Sequence, residues 1–303
     1  MSTNAIRRIG GALLAGTLAV SLAACGTDDD GGAGGDTGGE LGTVRIGFIP
    51  AWTDGLSMGH LLKNQIEKVG YTVEIEELGD NGPLYAGLAQ GDLDLYTSAW
   101  PEKAHKPYMD EFGDRLESVG AYYDNSTFSL SVPSYSELQS VEDLPDYFDE
   151  LDGRIVGIEP GAGLTDVVNT SVIPAYGLEN FEHVTSSTTA MLAELNSAVM
   201  SEEEIVVTMW SPFWAISEFD LRPLEEPQGA FGEPESLHTL ATAGWSDDHP
   251  ELAEWIGQVQ LDDAEFGSLE YTVVNDFDEG DEQSAIEAWL EENPDVLPEL
   301  PEL

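Results

Sequence analysis

Two stretches of the chain carry the same alternation of short apolar runs and helical patterns, and that repetition constrains the fold more than any other feature. In the first, Val44 to Ile49 reads as a strand, and Leu56 to Val69 has helical spacing in Leu61, Leu62, Ile66 and Val69, with Gly70 as its C′ stop. Thr72 to Glu77 alternates Val73 and Ile75 with polar neighbours, as a half-buried strand does. A short helix around Pro83 to Gln90 then leads into the strand Leu93 to Thr97. Strand, helix, strand, helix, strand is the order of a parallel α/β sheet, because parallel neighbours need a crossover long enough to hold a helix.

The pattern restarts at Arg154. A strand to Ile158, a helix through Val167 and Val168, a strand at His183 to Thr185, a helix from Thr188 to Met200 and an apolar strand Ile205 to Met209 follow. The extended segment Ser129 to Pro133 and a polar stretch to Asp152 separate the two sets. The expected architecture is two α/β lobes, 43–132 with 235–303 and 133–234. The chain would cross between them near Val132 to Ser134 and again near Pro227 to Ser236. Helices around Pro250 to Gln258, Asp262 to Tyr271 and Ser284 to Glu291 return to complete the first lobe. Two lobes joined by extended crossings suit a ligand cleft that closes by hinge motion.

Charge narrows the partners. The 303 residues include 59 acidic side chains against 10 Lys plus Arg, a formal charge of -49. Phosphate would be repelled by such a surface, and no basic stripe offsets it, so a nucleic-acid binder is excluded. Disorder is excluded too, because 41% of the residues are hydrophobic and seven are Trp, enough to bury a large core.

Residues 1–24 read as an export signal: Arg7 and Arg8 precede an apolar run from Ile9 to Leu22 that is too short to span a bilayer. The Arg pair also begins twin-arginine signals, and alone it does not separate the two routes. Leu22-Ala23-Ala24-Cys25 resembles the lipobox of bacterial lipoproteins, in which the Cys is lipidated and becomes the first mature residue. The plainer reading is a secretory signal that happens to contain a Cys. Cys25 is the single cysteine of the chain, which excludes a disulfide framework. Residues 25–42 are dominated by Gly, Asp and Thr and read as a flexible tether. Without residues 1–24 the chain keeps 8 basic against 59 acidic residues, a charge of -51.

The aromatics supply the functional signal. Trp52 follows the first strand, Trp100 follows the strand Leu93 to Thr97, and Trp210 follows the strand Ile205 to Met209. In open α/β sheets, ligands bind in the crevice outside the carboxyl ends of strands. A single Trp is more often a packing residue, but three at matching strand ends would face one another across the cleft. Their faces attract a cation that cannot form strong hydrogen bonds, above all a quaternary ammonium. The loop Gly157 to Leu164 leads from a strand into a helix, so its free amides form an anion seat; read alone, it is a plain Gly-rich turn.

Ala99-Trp100-Pro101 with His105, the loop Gly157 to Leu164, and Val207 to Trp214 together resemble the substrate-binding proteins of bacterial ABC importers for glycine betaine and related compatible solutes. The resemblance runs over nearly all of Val44 to Glu291, including Gly91 to Asp94, Val132 to Tyr135 and Asp220 to Leu224. It implies a two-lobed fold of the type II periplasmic-binding-protein kind, with the ligand between the lobes. It further implies a Trp box of Trp52, Trp100 and Trp210 for the trimethylammonium group. The carboxylate seat would be the backbone of Gly163 and Leu164, with His105 as polar helper. The implied partners are a zwitterionic ligand, a separate ABC permease with its ATPase, and the membrane through a lipid on Cys25. The protein would be a monomer held on the outer face of the cell membrane. The chain departs from the pattern at Ala162, where some members have an aromatic, and at Phe213, where many have His. Ala162 would leave Trp52 to complete the box.

No catalysis, cofactor or metal is expected: no Gly-x-Ser-x-Gly elbow or Walker loop occurs, and His60, His183, His238 and His249 lack metal-ligand spacing. The rival from another class is a two-lobed extracytoplasmic enzyme with an acid pair such as Asp92 and Asp94, although such pairs arise by chance among 59 acids. A third reading is a receptor-like module that presents its ligand to a signalling partner. Choline, carnitine, proline betaine, dimethylsulfoniopropionate and ectoine stand beside glycine betaine as ligands, since spacing does not report pocket width. Because net charge does not steer a zwitterion, the acid surplus reads as adaptation to a saline exterior.

Overall fold

The computed structural model describes residues 41–303. The export signal, Cys25 and all but the end of the tether lie outside them. The first set of elements is β1 (Thr43–Phe48), α1 (Thr53–Lys68), β2 (Thr72–Glu77), α2 (Asn81–Gln90) and β3 (Leu95–Ala99). β1 pairs in parallel with β2 on one side and β3 on the other, as the crossover helices require. All five residues of β3 are buried, and α1 lays Met58, Leu61, Leu62 and Ile66 over the sheet. Gly55 lets the start of α1 come close: a Cβ there would meet Ser98 Cβ at 2.8 Å. That approach brings the first turn of α1 against the end of β3.

After α3 (Lys106–Phe112) the chain enters β4, which runs unbroken from Leu116 to Pro133. The sequence reading recognised only its last residues, Ser129 to Pro133, as extended. The second set follows as β5 (Arg154–Val156), α4 (Gly163–Val167), a π turn at Val168–Val172 continuing into α5 (Ile173–Tyr176), then β6 (Glu182–Val184), α6 (Thr188–Ser201) and β7 (Val207–Ser211). Short α7 (Ala215–Glu218) and β8 (Leu221–Pro223) lead to β9 (Glu235–Thr242), and α8 (Trp245–Asp248), α9 (Pro250–Gln258), α10 (Asp263–Tyr271) and α11 (Glu282–Glu292) finish the chain.

The sheet order is β2-β1-β3-β9-β4-β7-β5-β6, with β8 also on β4. Both sets are parallel within themselves, but β9 and β4 are antiparallel insertions between them. β4 is the shared strand: Leu116 to Ser126 pairs with β9, and Thr127 to Pro133 pairs with β7 and β8. The ladder therefore changes partners between Ser126 and Thr127, whereas Val132 to Ser134, where the crossing was expected, lies farther along inside the second sheet. The returning segment between Glu225, still bonded to Gln139, and Glu235 at the start of β9 is the second crossing. The result is a mixed α/β sheet curled into two lobes about β4.

Among the described residues four ion pairs form: Arg45–Asp94, Lys63–Glu67, Lys106–Asp110 and Arg154–Glu194. Arg45 binds Asp94 through two side-chain nitrogens, which assigns that acid a structural task. Most of the 59 acids thus repel one another in low salt, while at 1 M the Debye length falls to about 3 Å. The midpoint of thermal unfolding is accordingly expected to rise from about 0.1 M to about 2 M salt. A flat or falling midpoint would reject the saline reading of the charge.

Candidate functional site

A cavity partly open to solvent, with about 30 Å³ of water-accessible space, lies between the lobes. Trp52, Trp100, Trp210, His105, Gly163 and Leu164 all line it, joined by Asp54, Ser98, Phe128, Ile158 and Ala162. The fold delivers them from both sides. Trp52 is the N-cap of α1 and Trp100 follows β3, both in the first lobe. Trp210 lies inside β7, not beyond its end, because that strand runs two residues farther than its apolar core suggested. Phe128 is its cross-strand partner on β4.

Stacking fixes the rings. Trp100 stacks on Phe128 at 4.6 Å between centroids, and Trp210 stacks on Phe213 at 4.0 Å. Phe213 is buried behind Trp210 and so supports the wall from outside. Trp214 does not line the cavity and meets Phe213 edge-on. Ala162, the N-cap of α4, lines the cavity from the second lobe, and Trp52 lines it from the first.

Asp54 is the acidic side chain of the lining, and it had no signal in a sequence so rich in acids. It stands in the first turn of α1, two residues after Trp52, and accepts from the Ser98 hydroxyl at 2.5 Å. Burial raises its pKa, and hydrogen bonds from Ser98, the Gly55 amide and the Trp100 indole partly oppose that shift. Behind it, Glu270 on α10 accepts from Thr53 and is pushed up to about 8 by burial.

His105 is also in the wall, but its ring is engaged by the protein. Nδ1 lies 3.1 Å from the Trp100 amide and 3.0 Å from the Tyr85 hydroxyl, and Nε2 lies 3.0 Å from the Asn81 side-chain amide. Since a backbone N–H only donates, Nδ1 is an acceptor and the proton of the neutral ring sits on Nε2. Asn81 meets that proton with its carbonyl when its side-chain amide is turned so that the NH2 group faces the Tyr96 hydroxyl. Burial drives the His105 pKa down to about 3, so the ring is uncharged at neutral pH. It offers no formal charge to an anion, and it fixes the backbone of Trp100.

Gly163 and Leu164 open α4, where first-turn amides have no acceptor within their own helix. The loop before them is locked: the Ala162 amide and the Thr165 hydroxyl both donate to the Glu159 carbonyl, at 3.1 and 2.8 Å. Contacts across the cleft hold it against the first lobe. The Tyr108 hydroxyl donates to the Gly161 carbonyl at 2.9 Å, and Gly163 approaches the Ala104 backbone so closely that a Cβ would meet its carbonyl oxygen at 2.3 Å. The lobes are therefore closed on one another. His60, His183, His238 and His249 lie outside the lining. Among the described residues no helix is long and apolar enough to cross a membrane, and no three His, Cys, Asp or Glu side chains gather as a metal would require.

Residues 42–292 match the family model described as the substrate binding domain of the ABC-type glycine betaine transport system. The glycine betaine/carnitine transport binding protein of Listeria monocytogenes is 32% identical over 157 residues, half of this chain and half of that protein. The chain thus matches only half the length of that relative. The crystal structure of lactococcal OpuAC, closed and complexed with glycine betaine, superimposes with a TM-score of 0.75 at 25% identity, covering 83% of this chain and 96% of the other. The glycine betaine/L-proline-binding protein ProX of Borrelia burgdorferi gives 0.76 at 30% identity, covering 85% and 97%. With a model match over most of its length and the same two-lobed architecture, the chain belongs to the family of substrate-binding domains of ABC-type glycine betaine transport systems.

Proposed function

We propose that this chain captures glycine betaine, or a quaternary ammonium zwitterion of similar size, in the cavity between its lobes and delivers it to an ABC permease. The observation that supports this most is the lining: Trp52, Trp100 and the Asp54 carboxylate from the first lobe, and Trp210 with two free first-turn amides, of Gly163 and Leu164, from the second. A trimethylammonium group gains about 2 kcal/mol from each desolvated Trp face, or roughly 6 from three. Micromolar affinity needs about 8 kcal/mol, so Asp54 and the amides have only a modest remainder to supply. Binding energy serves closure here. His105 acts through Trp100, whose amide it holds, and not by binding the ligand carboxylate. Read as an export signal and a lipobox, residues 1–25 support a protein held outside the cytoplasmic membrane through a lipid on Cys25.

Asp54 also favours a second reading, a ligand that is a plain cation such as choline. With His105 neutral, Asp54 is the ionisable group left to balance ligand charge, and choline leaves the amides of Gly163 and Leu164 unused. Calorimetry on the protein from Cys25 onward separates the two. Glycine betaine is expected to bind more tightly than choline, and failure of every quaternary ammonium to bind would reject the site altogether. A bound ammonium favours ionised Asp54, so affinity is expected to fall as pH drops through the raised pKa of that group. Asp54→Asn should bind more weakly at neutral pH and lose this acid limb.

A further inference from the structure

We infer that Glu159 is a positioning residue that latches the closed cleft through the indole of Trp52, an inference that rests on the binding reading above. Glu159 lies in the loop before α4, in the second lobe, and only 6% of it is exposed. Its Oε1 accepts the Thr188 amide at 2.8 Å, and its Oε2 accepts the Thr188 hydroxyl at 2.8 Å. Thr188 is the first residue of α6, so the carboxylate sits where the helix dipole favours negative charge. These bonds lie wholly within the second lobe. The acceptor is therefore aimed before the lobes meet.

The third donor comes from the other lobe. Trp52 Nε1 donates across the cleft to Glu159 Oε2 and to Thr188 Oγ1, each at 3.2 Å. Trp52 and Thr188 are both buried, so this N–H has exchanged water for Glu159 and Thr188. One bond thus does two things in the closed state. It ties the first turn of α1 to the start of α6, and it fixes the indole plane so that the ring faces the cavity that Trp100 and Trp210 also line. Of the carboxylate's three partners the Thr188 amide and the Trp52 indole only donate, one at each oxygen, so Gln at this place would turn an NH2 group toward one of them. A bond made only on closing slows opening, so its loss appears in the dissociation rate.

The test is a double-mutant cycle on ligand release. Stopped-flow measurement with glycine betaine is expected to show Glu159→Gln dissociating roughly 10- to 100-fold faster, the range for a hydrogen bond to a charged group, with the association rate little changed. Trp52→Phe keeps a ring but removes the N–H. In that background Glu159→Gln should cost much less, because the shared bond is already gone. Independent, multiplying effects, or an unchanged dissociation rate in Glu159→Gln, overturn the latch. If glycine betaine and choline both fail to bind, the binding reading fails, and the latch is judged on the unliganded protein carrying spin labels on α1 and α6. A smaller closed population in Glu159→Gln then supports it, and identical distance distributions overturn it.

Discussion

Trp100→Ala is expected to weaken glycine betaine binding by roughly 100-fold or more, a loss of about 3 kcal/mol. The substitution removes one aromatic face from the cavity, about 2 kcal/mol for a desolvated cation. It also removes the indole that helps hold Asp54 and exposes the face of Phe128 stacked beneath it at 4.6 Å. The ammonium would then sit against a wetter wall with a less fixed carboxylate. Trp100→Phe retains an apolar ring and should lose much less affinity. Calorimetry reads both, and thermal unfolding of the unliganded variants separates lost binding from lost packing. An affinity within about threefold of wild type would show that the ligand does not rest on this ring.

How far this site could be read in the sequence depends on the kind of signal each residue carries. The strand and helix pattern was legible because apolar period reports burial directly: α1, β2 and α9 fall within a few residues of their expected places. The long β4 was not, because its Tyr, Ser and Asn residues alternate irregularly where it passes from one sheet to the other, and three register shifts break its pairing with β9. Periodicity does not say where a strand changes neighbours. Trp52 and Trp100 were legible as aromatics just past a strand, and Trp210 as one closing an apolar run, although its strand continues through it. Asp54 and Glu159 were hidden for the opposite reason, as two acids among 59. What distinguishes them is burial, which only the packing of α1 on β3 and of the Gly-rich loop on the first lobe supplies. His105 was singled out in the sequence and lines the cavity, yet its partners Tyr85, Asn81 and the Trp100 amide are 20, 24 and 5 residues away, and they engage its ring.

Gly163→Ala tests closure itself, and its effect on affinity is expected to match or exceed that of Trp100→Ala. Alanine keeps the backbone N–H and suits a helix, so the second lobe should fold unchanged and the anion seat should keep its donors. The added Cβ, however, would lie 2.3 Å from the Ala104 carbonyl oxygen and 2.7 Å from its Cβ, both on the facing lobe. That neighbour has little room to retreat. The Glu235 carboxylate accepts the amides of Glu102, Lys103 and Ala104 at 3.1, 3.0 and 3.1 Å, and the His105 amide donates to the Trp100 carbonyl at 2.8 Å. A loop pinned by four hydrogen bonds transmits the clash to the whole lobe, which must stay open by more than an ångström. The Trp52 indole then falls short of Glu159, and the box stays incomplete. The variant is expected to unfold at the wild-type temperature without ligand, to bind roughly 100-fold more weakly, and to gain almost no thermal stabilisation from ligand. Glu235→Gln in the same chain should recover part of the loss by loosening the pinned loop, whereas wild-type affinity in Gly163→Ala alone would mean that the ligand is held with the lobes apart.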